Sequence, residues 1–512
     1  MFHVSLIVEI LRVRPGLVVW LAALVQAVLW IFVPALFYAA PPGGVPEALA
    51  IGREFQLGTH LGPPFAFWLG EISFKLGGTF GIYVLSQICV VTTYVAIYAL
   101  GRAIVGPRHA ALAVLLMVGI FAFTLPTPEF GSSIAAMPLW ALVLLHYWRA
   151  VGEGRRFYWL PLALEMGLLL LTAYQGFVLI GLLFVFTAAT ERGRAVLASL
   201  DPWVAVVFVA VIALPHVIWL NSQGDGSLLL PGIDSPGRSM ITWLWLLAAI
   251  VLLHAGVWVL VAVASGWPSE RLERAPAIQR RSTDSFGKAF IYFLALAPSL
   301  AATLASALTG RSASFRDAGP LLVLSGLALI VAAGDSIPLY RQRVASLTWI
   351  LLLLVPPVLA ALGMFILPWT VGSDLNTAQP AGDMGRYFAD TFQRRTGRPL
   401  AIVAGDPRAA ALVALGAPSR PSVYHDAAPE LSPWVTPEEI RRKGAILVWP
   451  TTATAGAPPP EIRARFPDLT PELPRAFERR PVQGRLPLVR IGWAVIRPQD
   501  MTPPIRQGEM RQ

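Results

Sequence analysis

The chain has 512 residues, 55% of them hydrophobic and only 14% charged, with a mean hydropathy of +0.62. Soluble domains carry about 25% charge, so a water-soluble enzyme is excluded and a polytopic membrane protein is indicated. The formal charge of +10 does not mark a nucleic-acid binder, because the basic residues cluster beside apolar segments, as the positive-inside rule requires. The single Cys89 lies inside an apolar run, which excludes a disulfide within the chain and a cysteine-based zinc site.

Residues 16–40 carry no charge, far longer than a signal-peptide core, and no convincing cleavage site follows. The spacing predicts a first membrane span over 16–39, with Arg12 and Arg14 holding its start in the cytoplasm. A polar stretch follows at 46–69. It gathers Glu47, Arg53, Glu54 and His60 before the Pro63-Pro64 pair, which stops a helix. A helix over 46–57 would set Glu47 and Glu54 two turns apart on one face. Phe65, Phe67 and Trp68 suit a membrane–water interface. The stretch reads either as a short helix presenting acids to a wet cleft or as a solvated loop between spans.

Apolar runs of roughly 17–25 residues, with shorter paired ones allowed, predict further spans. They fall at 80–100, 110–126, 131–148, 157–172, 174–190, 202–220, 240–265, 289–308, 319–333 and 346–369, for about eleven in all. Alternate ends then gather the basic groups at 12–14, 102–108, 149–156, 192–194, 271–288 and 341–343 on the cytoplasmic side. The opposite side receives Glu47 to His60, Glu129, Arg311, Arg316 and everything after Trp369. Residues 370–500 change character, with strand patterns at 400–404, 445–449 and 488–496 and helical ones at 383–395, 407–415 and 437–443. The expected architecture is an all-α membrane bundle carrying a small C-terminal α/β domain in the periplasm. The strand-to-helix passage at 401–406 lacks a glycine-rich phosphate loop, which favours a scaffold or lid over a nucleotide site. Residues 501–512 read as a disordered tail.

Ionisable groups at membrane depth are costly and tend to be functional. Glu129 sits in a short loop on the same side as Glu47 and Glu54, so carboxylates from two loops can converge on a hydroxyl or a metal. His216, near the outer end of its span, can orient a phosphate or satisfy a carbonyl. Arg311 and Arg316 can clamp an anionic head group, since guanidinium forks match phosphate. Glu165 and His254 lie within spans and are expected to pack inside the bundle.

Four segments in order carry a resemblance. Gly58-Thr59-His60-Leu61-Gly62-Pro63-Pro64-Phe65 with Trp68 resembles the Gly-Tyr-x-x-Lys-Pro-Pro-Leu-x-x-Trp stretch of bacterial family 39 glycosyltransferases of the GT-C fold, relatives of protein mannosyltransferases and of lipid A aminoarabinose and galacturonic acid transferases. Pro128-Glu129-Phe130 with Met137-Pro138-Leu139-Trp140 is similar to the family's Glu-Phe-Asn and Leu-Pro-Leu-Trp segment. Leu170-Leu171-Thr172-Ala173-Tyr174 resembles its Leu-Thr-Lys-Tyr turn, and Pro215-His216 with Trp219-Leu220 its Pro-His-x-x-Trp-Leu. The likeness spans residues 1–370, and the C-terminal domain also resembles the periplasmic domain of those members. It implies a multi-pass enzyme of the bacterial inner membrane that moves a sugar from a polyprenyl-phosphate donor to a lipid, glycan or protein acceptor. It also implies an acid for the acceptor, with Glu47 first and Glu54 or Glu129 second. Arg53, His60, Arg311 and Arg316 are left for the donor phosphate, with His216 and Tyr174 among the substrate-binding positions. A divalent cation is compatible with such chemistry, though no residue pattern encodes one. Three positions depart from the family: its aspartate falls on Gly44, and two lysines fall on Gly62 and Ala173. A non-catalytic relative acting as a glycan-binding accessory subunit is the rival reading, and a transporter a weaker third.

Overall fold

The computed structural model describes residues 2–222, 236–265, 277–280, 282–309, 315–338, 341–370, 375–452, 456–480 and 488–499. Arg311 and the tail 501–512 lie outside the described residues. The described chain divides into two compact units. The first holds residues 1–36 and 57–362, the second residues 37–56 and 363–512.

The first unit is helical. Among the described residues, six helices are long and apolar enough to cross a membrane: Pro15–Phe37, Phe65–Ile104, Ser132–Gly152, Asp201–Ser222, Ser285–Leu308 and Gln342–Leu367. Two bent pairs raise the number to eight, Gln175–Ala189 with Glu191–Leu197 and Met240–Leu253 with Ala255–Ser265. Against eleven expected spans, the described residues thus hold six single helices of full length, or up to eight where each bent pair is one span. The stretches expected at 110–126, 157–172 and 319–333 form helices of 11, 12 and 8 residues, Pro107–Met117, Trp159–Leu170 and Ser325–Ala332. Each is too short to cross a bilayer core alone. The two halves of the span expected at 240–265 meet at 51° beside His254.

Phe65–Ile104 is two helices joined at Gly77-Gly78, where Gly78 takes φ +59, a conformation open to glycine at little cost. Its first part starts on Pro64 as N-cap. The proline pair thus launches a helix here, consistent with the fixed φ of proline. The bundle interior carries a buried polar chain. Tyr94 donates its hydroxyl to Gln26 Oε1 at 3.0 Å, and the Gln26 amide donates to the Phe123 carbonyl. Gln87 donates to Thr127 Oγ1 at 3.1 Å and Ser86 to the Thr127 carbonyl, so the loop leading to Glu129 is pinned from the helix behind it. Strands β1 (Ala277–Gln279) and β2 (Ser336–Pro338) pair antiparallel, with Ile278 opposite Ile337.

The second unit is the α/β domain. Its strands are β3 (Ile402–Gly405), β4 (Ser422–His425), β5 (Ala445–Pro450), β6 (Glu472–Phe477) and β7 (Val489–Ile496), in the order β4-β3-β5-β7-β6. β4, β3 and β5 run parallel, and β7 is antiparallel to β5 and β6. β3 is buried over its whole length and β5 over all but Pro450, which explains their unbroken apolar runs. Helix Pro407–Gly416 starts under Asp406, whose carboxylate accepts from the Ala409 amide at 2.8 Å. Helix Ala381–Thr396 packs beside it through Met384, Phe388 and Phe392. The end of the parallel strands is acidic: burial raises the Asp426 carboxyl, and the charges of Asp406 and Glu461 raise it further.

Helix Val45–Gly52 belongs to this second unit. It lays Val45, Leu49 and Ala50 inward and packs against helix Pro407–Gly416. It is shorter than the helix expected over 46–57. Arg53 caps it and Phe55 turns the chain at φ +48. Glu54 therefore falls outside the helix, and the two-turn alignment of Glu47 with Glu54 does not form.

Candidate functional site

Within the first unit, three of the segments singled out in the sequence meet at His216. The histidine lies near the end of helix Asp201–Ser222 and is buried. Its Nδ1–H donates to the Leu57 carbonyl at 2.8 Å. A carbonyl only accepts, so this bond fixes the proton on Nδ1 of the neutral ring and leaves Nε2 as the acceptor. The Tyr174 hydroxyl stands 3.4 Å from Nε2. The two rings stack at 6.0 Å, and on the same helix Trp219 stacks on His216 at 5.8 Å and 11°. Through Nδ1 His216 satisfies the Leu57 carbonyl, one of the two roles open to it, while Nε2 faces the Tyr174 hydroxyl.

Gly58 explains why Trp219 belongs to this cluster. A Cβ at residue 58 would stand 2.2 Å from the indole, so only a glycine backbone lets the ring lie there. The chain then turns at Thr59–Gly62. Each of these two residues donates its amide to the other's carbonyl at 3.1 Å, and Thr59 Oγ1 also donates to the Gly62 carbonyl at 3.0 Å. His60 sits half-buried in this turn. Past the prolines, the Phe65 amide donates to the Leu171 carbonyl at 2.9 Å. The stretch 57–65 is thereby held at both ends, by His216 and by the turn that carries Tyr174.

Glu129 forms a second cluster. Its carboxylate is ion-paired with Arg316, and Ser133 Oγ donates to Asp317 Oδ1 at 2.6 Å. A cation expected to hold phosphate and an acid expected to serve the acceptor thus engage each other. Met137, in the segment after Glu129, lies against Gly319.

Glu47, Arg53 and Glu54 belong to the second unit. Glu47 lies in the first turn of helix Val45–Gly52, where an ionised acid is stabilised by the free amides. A Cβ added to Gly44 would sit 3.8 Å from Glu47 Oε2. Among the described residues, no group of three or more His, Cys, Asp or Glu side chains is arranged to hold a metal ion.

The sequence reading passes over one buried acid. Glu71, buried in the helix after the prolines, stands 3.8 Å from Lys75 Nζ. Its signal was a lone acid four residues before a lysine in an apolar run. Glu165 does pack inside the bundle, and its carboxylate meets His146 Nδ1 at 2.8 Å.

Residues 62–219 match the family model of dolichyl-phosphate-mannose-protein mannosyltransferases. No curated protein matches the sequence. Among solved structures, ArnT from Cupriavidus metallidurans, bound to undecaprenyl phosphate, aligns over 94% of this chain and 98% of its own at 16% identity, with a TM-score of 0.56. The fold is GT-C. The apo oligosaccharyltransferase of Archaeoglobus fulgidus aligns over 80% of this chain and 64% of its own, at 15% identity and a TM-score of 0.43.

Within the GT-C fold, two of the three departures acquire local reasons. Gly62 takes φ +138 with open space around it, so the turn has room for a lysine side chain but a backbone that L-residues resist. Ala173 is buried at 8% exposure beside the turn gripped by Phe65.

Proposed function

We propose that the protein is a multi-pass glycosyltransferase of the bacterial inner membrane. It takes a sugar from a polyprenyl-phosphate donor and passes it to a lipid, glycan or protein acceptor on the periplasmic side. The observation that carries this reading is the meeting of residues 57–65, 171–174 and 215–219 at one point, the first segment entering and the other two lying within the stretch that matches the mannosyltransferase family. In the reaction the acceptor hydroxyl attacks the anomeric carbon, the bond from that carbon to phosphate oxygen breaks, and polyprenyl phosphate leaves. A carboxylate takes the hydroxyl proton. Glu47 fills that role best, because its oxygen lies beside Gly44, where the family carries its aspartate. Glu54 and Glu129 are the alternates, and Glu129 is held by Arg316.

The test is turnover of a radiolabelled polyprenyl-phosphate sugar by purified protein in lipid nanodiscs. Release of polyprenyl phosphate is expected, and Glu47→Gln should lower the rate about 10²–10⁴-fold, the usual contribution of a positioned base. The rival reading, a glycan-binding accessory subunit, is favoured by the loss of charge at Gly44, Gly62 and Ala173. It predicts donor binding without release in every acceptor mixture.

A further inference from the structure

We infer that Arg53 is the residue that receives the phosphate of the lipid-linked donor, an inference that rests on the proposed transfer from a polyprenyl-phosphate sugar. Four cations were available in the outer loops once glycine and alanine stood at the family's lysine positions. Arg316 is engaged by Glu129, Arg311 lies outside the described residues, and His60 belongs to the Thr59–Gly62 turn of the first unit. Arg53 differs from all three. Its Nη1 is shut off from solvent and has no hydrogen-bond partner among the described residues.

A guanidinium carries its charge at every accessible pH and offers five donors in a fixed fork. Arg53 is half-buried, and keeping one of these donors out of water and unbonded is unfavourable, so an anion would complete the position, and the fork matches the oxygens of a phosphate. The backbone supports such a role. Arg53 caps helix Val45–Gly52, its amide bonded to the Leu49 carbonyl at 3.2 Å, and the helix is anchored by six buried residues. Two residues on, Phe55 exposes 43% of its surface with φ +48. An anion site beside an exposed ring suits an amphiphile with a charged head.

The experiment titrates full-length protein in phosphatidylcholine nanodiscs with undecaprenyl phosphate, with undecaprenol and with inorganic phosphate, read by tryptophan fluorescence. Arg53→Gln should weaken undecaprenyl phosphate about ten- to a hundredfold, the worth of one charge-assisted bond, and leave undecaprenol unchanged. Arg53→Lys should recover part of the loss. An equal loss for both lipids marks a folding defect and overturns the assignment, as does undiminished binding of undecaprenyl phosphate by Arg53→Gln. An Arg53-dependent response to inorganic phosphate alone would mark a free-anion site and also overturns it. If the wild-type protein itself fails to distinguish the two lipids, the transferase reading falls together with the inference.

Discussion

Gly58 and Trp219 are the pair on which the outer cluster turns, and they are separated by most of the family-matched stretch. A methyl group at residue 58 would come within 2.2 Å of the indole, below any real contact, and the ring is held by its stack on His216. Gly58→Ala must therefore push Trp219 aside or shift the chain at Leu57 that His216 grips. Overpacking of this kind costs about 1–3 kcal/mol. The expected result is a lower melting temperature in detergent and a loss of donor turnover, whereas Gly181→Ala, with nothing within 4 Å, should change neither. Unaltered melting of Gly58→Ala would show that the indole does not rest on this backbone. The residue types at this cluster are legible in the sequence, as a glycine, a histidine and two aromatic rings in recognisable segments. Their meeting is not legible, because His216 bonds a carbonyl 159 positions away. Likewise Glu129 and Arg316 each looked available until the fold brought them together across 187 positions.

At the scale of elements, apolar length is read well and its interruptions poorly. Six long spans fall where the hydropathy runs place them, and the parallel strands β3 and β5 follow from buried apolar runs. β4 and β6 were not anticipated. β4 is only four residues long, and β6 alternates exposed and half-buried positions around Pro474, a weak pattern for a strand. The helix bearing Glu47 shows the same limit: its own sequence gives a short amphipathic turn, but its partner lies over 350 residues on. Arg408 ties the two, its Nη1 donating to the Gly43 carbonyl and its Nε to Gln379 Oε1 at 3.0 Å. Arg408→Ala leaves that carbonyl without its charged donor. Bonds to charged groups contribute about 1.5–3 kcal/mol, and the predicted outcome is faster amide exchange across residues 43–52 with the core strands β3 and β5 still protected. Unchanged exchange in 43–52 would mean that apolar packing alone holds the helix.

For the molecule as a whole, the side of the membrane on which residue 512 lies depends on the three short helices. Eight spans, each bent pair counted as one, return the chain to the side it started from, and three more crossings reverse that. Helix Pro107–Met117 covers only ~16 Å at 1.5 Å per residue, about half of a hydrocarbon core; the 3₁₀ turn Phe121–Phe123 extends it. The basic groups bear on the matter. Arg102 and Arg108 are followed by the basic group at Arg149, Arg155 and Arg156, and between them lie one short helix and one long one. From Arg156 to Arg192 and Arg194 lie Trp159–Leu170 and the 15-residue Gln175–Ala189, and from Lys288 to Arg341 and Arg343 lie Ser285–Thr309 and Ser325–Ala332. If a short helix failed to cross, consecutive basic groups would face opposite sides, against the bias that positive loops impose on orientation. Each short helix is therefore expected to complete a crossing with the irregular segment beside it, placing the α/β domain in the periplasm and the N-terminus in the cytoplasm. An alkaline phosphatase fused at Gln512 should be active, and a fluorescent reporter that matures only in the cytoplasm should stay dark at the same site. The reverse pattern would require one or all three of the short helices to stop within the membrane, and fusions at Arg156, Arg194 and Arg343 would then identify which, since the side would switch at the first helix that does not cross.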